Sequence, residues 1–257
     1  MSTDVAASAG RIGVLVRHNL LLRLRDPGPM ISYVLLPMVI MLMFKPLYER
    51  AFSAREAATV QVVTGPLIMF SVFTLAIVGN SILTEREQGT WDRLRSSAAT
   101  SAEMLVGKIL LAMGILVTQQ VVLLGYGCLV VGLPLPTSPG LVLVSMLAWA
   151  FALVALGAAL ATVMRSHAEV GMASDIGATL ISALGGALIP IALMPGWAQV
   201  LAHVSPGFYG LSMLQSAVRA DAAGTFGPAA VLVAFGLVVG AFAVRRITLG
   251  WSRSTVL

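Results

Sequence analysis

Six apolar runs, each close to the length of a membrane-spanning helix, dominate this sequence. They cover residues 30–48, 60–83, 109–133, 141–164, 172–194 and 228–244. A helix needs about 20 mainly apolar residues to cross the hydrocarbon core of a bilayer. Because 58% of the 257 residues are hydrophobic and only 11% are charged, a soluble fold of this size could not bury the apolar surface. The runs therefore predict an all-α polytopic membrane protein, with six transmembrane helices in a single domain over residues 1–257.

The basic residues orient these spans. With the N-terminus in the cytoplasm, four of the sixteen basic residues lie outside, namely Lys45, Arg50, Arg55 and Arg219. The other twelve then lie inside: Arg11, Arg17, Arg23, Arg25, Arg86, Arg93, Arg95, Lys108, Arg165, Arg245, Arg246 and Arg253. Because Arg and Lys accumulate in cytoplasmic loops, both termini are predicted to be cytoplasmic, which agrees with an even number of spans. The formal net charge of +5 then reflects topology, and no nucleic-acid partner is expected.

A weaker apolar stretch follows the fifth run. Residues 195–217 include His203, Pro206 and Gly207, which interrupt the stretch. We expect re-entrant outer helices there, which dip into the membrane and return. A seventh span would instead place Arg245 and Arg246 outside, against the distribution of basic residues.

Residues 10–27 interleave arginines with leucines ahead of the first span. This amphipathic pattern is typical of a helix that lies in the membrane interface. The predicted interfacial residues are Arg17, Arg23, Arg25 and Asp26. Asp26 begins a D-P-G-P stretch that stops the helix and turns the chain into the membrane. The alternative is that these arginines act only as topology anchors.

The cytoplasmic segment 84–108 carries the most informative pattern, T-E-R-E-Q-G-T-W-D-R-L-R at residues 84–95. The second span runs directly into charged residues, so its helix is expected to project beyond the lipid. Gly89 allows that helix to end, and Thr90 can cap a short helix lying across the cytoplasmic face. This knob suits docking into a groove of another protein, although an ordinary charged loop is the alternative. The residues predicted to dock are Glu85, Arg86, Glu87, Gly89, Thr90, Trp91, Arg93 and Leu94.

The pattern E-R-E-x-G-T-x-x-x-L after a second span resembles the signature of type-two ABC exporter permeases. It looks most like the daunorubicin-resistance subgroup, which is kin to the polysaccharide and nodulation-factor exporters. The resemblance takes in the basic interfacial segment, the R-D-P tripeptide at residues 25–27, the six spans and the outer segment at residues 194–209.

This resemblance implies that the helix near residues 90–95 couples the chain to a separate ABC ATPase subunit, which would bind ATP and Mg. It also implies a second permease chain, either an identical copy or a sister permease, in a bacterial plasma membrane. The sequence contains no G-x-x-x-x-G-K-[ST] loop, so the chain is not expected to hydrolyse ATP alone. We expect it to be no enzyme and to bind no cofactor or metal itself.

Polar and aromatic residues of the spans supply candidates for the transport path. Asp175 either pairs with Arg165 or lines the cytoplasmic entrance. Phe44, Phe70 and Phe73 are candidate path or gate residues, because together with nearby methionines they give a soft, adaptable lining that suits a bulky apolar cargo. Core packing or lipid contact explains these three equally well.

Uncharged polar residues in the spans are expected to serve packing. Asn80, Gln119 and Gln120 can hydrogen-bond between helices, and Lys45 can reach the outer interface. The central halves of the predicted spans carry no carboxylate, whereas ion-coupled pumps tend to keep one there. An external energy source is therefore expected.

These observations predict the permease subunit of an ATP-driven exporter for a hydrophobic or amphipathic metabolite or drug. A permease for a lipid-linked glycan or polysaccharide is one alternative. A non-transport membrane scaffold or sensor, which would use the same cytoplasmic knob, is the alternative of another class.

Overall fold

The computed structural model describes Gly13, residues 28–87 and residues 101–250. Over these ranges the chain is helical and contains no strand. The helices are α1 (Gly28–Ala51), α2 (Arg55–Phe73), α3 (Leu75–Glu87), α4 (Ser101–Tyr126), α5 (Pro139–Val163), α6 (His167–Leu184), α7 (Gly196–Ala202), α8 (Pro206–Val218) and α9 (Ala222–Gly250). The predicted all-α architecture is confirmed.

Within the described residues, five helical stretches are long and apolar enough to cross a membrane. They are Ile31–Ala51, Arg55–Thr84, Val106–Val131, Pro139–Val163 and Ala222–Arg246, which correspond to α1, α2 with α3, α4, α5 and α9. The predicted count of six spans is not confirmed. The helix that falls short is α6, in the place of the predicted fifth span.

Helix α6 differs from the predicted span 172–194 at both ends. It begins at His167, where Ser166 caps it by accepting a hydrogen bond from the Glu169 backbone N–H. It ends at Leu184, because Gly185 continues only as a turn and Gly186 takes a left-handed φ of 87°. The apolar run continues past this point in the sequence, but the backbone leaves the helix. The result is 18 residues that include Glu169 and Asp175.

The predicted second span is built from two helices. Helix α2 ends at Phe73 and α3 begins at Leu75, with Thr74 between them. Together they cover residues 55–87, which is about 50 Å at 1.5 Å per residue. A hydrocarbon core is about 30 Å thick. The α2–α3 unit is therefore long enough to project beyond the lipid, as the sequence predicted.

Helices α2 and α5 form the centre of the bundle. The apolar stretch of α2 with α3 is 78% buried and that of α5 is 67% buried, against 17% for α1, 28% for α4 and 22% for α9. Trp149 of α5 is fully buried, and its indole Nε1–H donates to Ser71 Oγ of α2 at 2.6 Å. Helices α2 and α5 thus lie inside the bundle, whereas α1, α4 and α9 keep apolar faces exposed.

The C-terminal end of α4 continues into a π-helical turn, Gly127–Val131. Gly132 follows in the left-handed region, with φ of 93°. The Lys45 ammonium donates to the Val131 carbonyl oxygen at 2.7 Å. Lys45 therefore neutralises the carbonyl end of this helix, a specific contact within the protein that the expectation of simple snorkelling did not include.

A pair of short helices, α7 and α8, lies between α6 and α9. The thirteen residues of α8 reach about 20 Å, which is too short to cross the hydrocarbon core. A Cβ at Gly207 would overlap the Ile181 carbonyl oxygen, and one at Gly210 would lie 2.8 Å from the Trp149 ring. Only glycine allows α8 to pack this closely on α6 and α5.

Candidate functional site

The segment singled out from the sequence begins inside α3. Glu85, Arg86 and Glu87 form the last residues of this helix. The structure describes no side chain of these three residues. The other predicted docking and interfacial residues lie outside the described residues: Gly89, Thr90, Trp91, Arg93, Leu94, Arg17, Arg23, Arg25 and Asp26. Their roles stay predictions, and the structure shows instead how α3 is seated.

Two glycines seat α3 against its neighbours. A Cβ at Gly157 of α5 would lie 2.9 Å from Val78 Cβ, and a Cβ at Gly79 would lie 2.8 Å from Val170 Cγ1 of α6. Such distances are shorter than carbon–carbon contacts allow. Small residues at helix crossings are the usual means of close approach in membranes. Helix α3 therefore packs closely on α5 and α6, with the Val78 side chain directly against the backbone of Gly157.

Two polar contacts tie the same turn of α3 to the helices on either side. His167 Nδ1 of α6 lies 2.8 Å from Asn80 Oδ1, which requires the hydrogen on Nδ1. The Lys108 ammonium of α4 donates to the Ser81 carbonyl oxygen at 2.9 Å. These contacts link α3 with the first turn of α6 and the first half of α4. A displacement of the α3 end would therefore reach three neighbouring helices at one level.

The junction between α2 and α3 is stabilised by Gln119 of α4. The Thr74 backbone N–H bonds to Ser71 instead of the Phe70 carbonyl that a continuous helix would offer it. The Gln119 amide donates to that Phe70 carbonyl at 3.4 Å and to the Tyr33 carbonyl of α1 at 3.0 Å. Thr74 Oγ1 donates to Gln119 Oε1 at 3.2 Å. Gln119 therefore satisfies the backbone at the break, and a cavity of about 80 Å³ lies beside it.

The expected interhelical hydrogen bonds are confirmed at two of three positions. Asn80 joins α3 to α6, and Gln119 joins α4 to α1 and α2. The expectation was wrong for Gln120, whose amide donates to Leu116 of its own helix at 3.3 Å. Gln120 is buried but contributes no bond between helices in the described residues.

A second polar group holds the outer helix pair in place. We call it the glutamine cluster, and it consists of Gln61, Thr64 and Gln215. The Gln215 amide of α8 donates to Gln61 Oε1 at 2.7 Å and to Thr64 Oγ1 at 3.2 Å. The Gln61 amide donates to the Gly186 carbonyl oxygen at 2.8 Å. The cluster therefore connects α2 with α8 and with the turn that ends α6.

Sequence reasoning missed the glutamine cluster. Its signal was present, since Gln61 and Gln215 are polar residues within apolar stretches. Their pairing could not be found from the sequence, because 153 residues separate them and the contact depends on the return of α8 to α2.

The aromatic path candidates do not converge. The Phe70 and Phe73 rings are 5.6 Å apart near the end of α2. Phe44 lies near the opposite end of the antiparallel α1–α2 pair, where its ring stacks edge-on with Tyr48 at 6.1 Å. Phe70 is only 4% exposed, as expected for a packing residue. None of these three rings lines the cavity beside Gln119, so the path role of the three phenylalanines stays a prediction.

Asp175 lies on the exposed face of α6. This face also contains Met172, Ile176 and Leu180, each more than half exposed. The opposite face buries Val170, Ser174 and Ala178 against the bundle. Within residues 28–87 and 101–250 no ion pair joins Asp175 to Arg165, whose backbone N–H donates instead to Glu169 Oε2. Of the two sequence-based alternatives for Asp175, pairing with Arg165 is therefore not found.

Metal ligands do not cluster in the part of the chain that the structure describes. No group of three His, Cys, Asp or Glu side chains lies close enough to hold an ion there. The arrangement is one of close helix contacts and hydrogen bonds between helices. Such an arrangement can transmit movement from one helix to the next.

Comparison with known proteins gives two findings. The sequence matches the family described as ABC-2 type transporter over residues 10–218, which includes α1 to α8. It is also 26% identical over 146 residues to the "Probable multidrug ABC transporter permease YbhR" of Escherichia coli (strain K12), and equally to the protein of that description in Escherichia coli O157:H7. The alignment covers 56% of this chain and 40% of each relative. The chain therefore spans less than half the length of the curated relatives it matches.

Proposed function

This chain belongs to the ABC-2 type transporter family of membrane transport subunits, and on that premise we propose that it is the permease of an ATP-driven exporter. Power comes from a separate ABC ATPase subunit, which binds ATP and Mg on the cytoplasmic side. The chain is a multi-pass protein of a bacterial plasma membrane, with both termini in the cytoplasm. The observation that carries the proposal is the seating of α3, the helix that leads directly into the docking segment.

The proposed coupling runs through α3. Closure of the ATPase subunits moves the segment at residues 88–100, and α3 carries this movement into the bundle. The close packing of Val78 on the Gly157 backbone makes α3 and α5 move together, because the contact leaves no room between them. The contacts from Asn80 to His167 and from Ser81 to Lys108 pass the movement to α6 and α4.

A second permease chain is proposed against the exposed face of α6. A carboxylate within an apolar helix is costly to leave in lipid, so it tends to face protein or a water-filled path. Asp175 and Thr179 both lie on this exposed face, and the Thr179 hydroxyl donates to the Asp175 carbonyl oxygen at 2.8 Å. Two copies of this face, or this face and that of a sister permease, would enclose the path between them.

The proposed cargo is a hydrophobic or amphipathic metabolite or drug. The docking pattern looks closest to that of the daunorubicin-resistance subgroup, and the printed name of the Escherichia coli relatives is that of a multidrug permease. The glutamine cluster offers neutral hydrogen-bonding groups and no fixed charge at the outer side. A lipid-linked glycan or polysaccharide is the second cargo class within the same proposal.

Co-purification and transport test this function. The chain is co-expressed with a candidate ABC ATPase from the same genome, purified and reconstituted into proteoliposomes with a fluorescent amphipathic dye. We expect the two proteins to purify together and to move the dye only with hydrolysable ATP. The charge-removing substitutions Glu85→Gln and Arg93→Gln should abolish transport, whereas Arg253→Gln near the C-terminus should not.

Two outcomes contradict the proposal. If the Glu85 and Arg93 variants transport as well as the unmodified complex, these residues do not couple the chain to the ATPase. If the chain purifies with a kinase or regulator and with no ATPase, the scaffold or sensor function replaces transport.

A further inference from the structure

An apolar groove opens on the side of the bundle formed by α4, α5 and α9. Its volume is about 210 Å³, and its floor is built from small residues, including Ala155 and Ala158 of α5 and Gly240 of α9. Ile109 and Val244 line it at one end, where α4 begins and α9 finishes. The adjoining outer surfaces of α4 and α9 are apolar, since Leu110 and Leu237 are each at least half exposed. The groove is therefore accessible from the lipid.

Basic residues adjoin the groove at that same end. Lys108 directly precedes Ile109, and Arg245 and Arg246 directly follow Val244. Both arginines are exposed, and the Arg246 guanidinium lies 5.6 Å from the centre of the Phe242 ring on its own helix. An apolar groove thus ends beside three basic side chains.

From this combination we infer that the groove binds one anionic phospholipid, with an acyl chain along α5 and the headgroup phosphate at Lys108, Arg245 and Arg246. Basic pockets between membrane helices recognise anionic headgroups by charge, and the long basic side chains can follow the headgroup region while their stems stay in lipid. Only the choice of membrane leaflet rests on the proposed function: with both termini in the cytoplasm, the headgroup lies in the cytoplasmic leaflet.

The position of the groove argues against a second permease chain as its occupant. Helix α6, which presents the exposed carboxylate, packs mainly on α2 and α3, and to a smaller extent on α8, α7 and α5, whereas the groove opens between α4, α5 and α9. A partner lying along α6 therefore leaves the groove uncovered. The lining contains no polar or charged side chain, so a partner helix would gain no interhelical hydrogen bond there.

Native mass spectrometry of the purified chain tests the site without any ATPase. The protein is incubated with phosphatidylglycerol or with phosphatidylcholine of the same chains, and retained lipids are counted. We expect one phosphatidylglycerol to be retained over phosphatidylcholine. Each arginine removed as Arg245→Gln or Arg246→Gln should weaken retention about fivefold. Inorganic phosphate should not displace the lipid, because it lacks the chain that fills the groove.

A substitution that fills the groove distinguishes lipid binding in the groove from a general attraction of anionic lipid to the basic surface. Gly240→Leu should abolish retention, since a Cβ there already lies 3.7 Å from Ala155 Cβ and a longer side chain must enter the groove. Val238→Leu is the matched control, because Val238 is 72% exposed on the same helix and does not line the groove. Gel filtration and thermal unfolding establish that both variants are folded.

Three results would overturn the inference. Equal retention of the two phospholipids removes the headgroup role, and retention by Gly240→Leu equal to that of Val238→Leu removes the groove. A change of oligomeric state in Gly240→Leu, with retention unchanged, assigns the groove to protein contact instead. None of these results bears on whether the chain couples to an ATPase, so failure here is distinguishable from failure of the proposed function.

Discussion

Replacing Gly157 by alanine adds one methyl group where α3 crosses α5. The new Cβ would lie 2.9 Å from Cβ and 3.1 Å from Cγ1 of Val78, and 3.3 Å from the Leu75 carbonyl oxygen. Carbon atoms in contact prefer about 3.5–4.0 Å, so α3 must move away from α5 by about 0.5–1 Å. Val78 is only 6% exposed and has little room to turn aside.

The expected cost follows from two opposing terms. Overpacking of a well-packed contact destabilises by about 1–3 kcal/mol, while alanine gains about 1 kcal/mol over glycine in helix propensity. Gly114→Ala on α4 is the matched control, because nothing lies within 4 Å of its Cβ position. The control receives only the propensity gain. The free energy of unfolding of the two variants should therefore differ by about 1–3 kcal/mol, with Gly157→Ala the less stable.

The measurement is denaturant unfolding in detergent micelles, followed by the fluorescence of the buried Trp149 in a background without the other three tryptophans, Trp91, Trp197 and Trp251. ATP-driven transport is measured in parallel in proteoliposomes. Gly157→Ala should retain the ATPase subunit and lose transport by about fivefold, because a displaced α3 that raises the barrier of the transport step by about 1 kcal/mol slows that step by about this factor. If Gly157→Ala proves as stable and as active as Gly114→Ala, the close contact at Gly157 does not transmit movement from α3 to α5.

Three further predictions concern polar contacts and the second chain. Asn80→Leu removes the hydrogen bond from α3 to α6, so it should reduce transport and leave the rate of ATP hydrolysis within about twofold. His167→Ala should cause no further loss of transport in the double variant, and additive losses would show that the two residues do not act as one contact. Gln215→Leu removes two hydrogen bonds of the glutamine cluster, so it should lower the free energy of unfolding by about 1 kcal/mol and increase the passive leak of dye. A leak equal to that of the unmodified protein would mean that the cluster does not keep the outer side closed. Ile176→Cys, in a background without the native cysteine, should form an oxidised dimer in membranes while Leu237→Cys should not, and the reverse pattern would place the second chain against α9.

The positions of most helices could be predicted because lipid imposes a simple rule on composition. Long apolar runs became α1, α4, α5 and α9, and the charged residues after the second run predicted that α3 would project beyond the lipid. Hydropathy does not detect interruptions that leave the side chains apolar. The end of α6 at Gly185 and the break at Thr74 depend on backbone conformation, which a window average does not register.

The contacts of the site were harder to predict than the helices. Asn80 and Gln119 could be identified as bonding residues because a polar side chain in an apolar helix needs a partner. Their partners required the three-dimensional arrangement, since Gln119 bonds to backbone carbonyls of two other helices. Gln61 and Gln215 gave the same signal and were not singled out. Lys45 was assigned to the interface because the sequence does not show that Val131 ends a helix beside it.

The brevity of α6 has a consequence for biogenesis. An 18-residue helix that carries Glu169 and Asp175 gains little from partitioning into lipid on its own, because each acidic residue opposes insertion. Its buried face, with Val170, Ser174 and Ala178, fits against helices that precede it in the chain. We therefore expect α1 to α5 to insert into the membrane first and to provide the surface against which α6 inserts. The order of synthesis and the order of assembly would then coincide, and a chain arrested before α6 would already hold the surface that receives it.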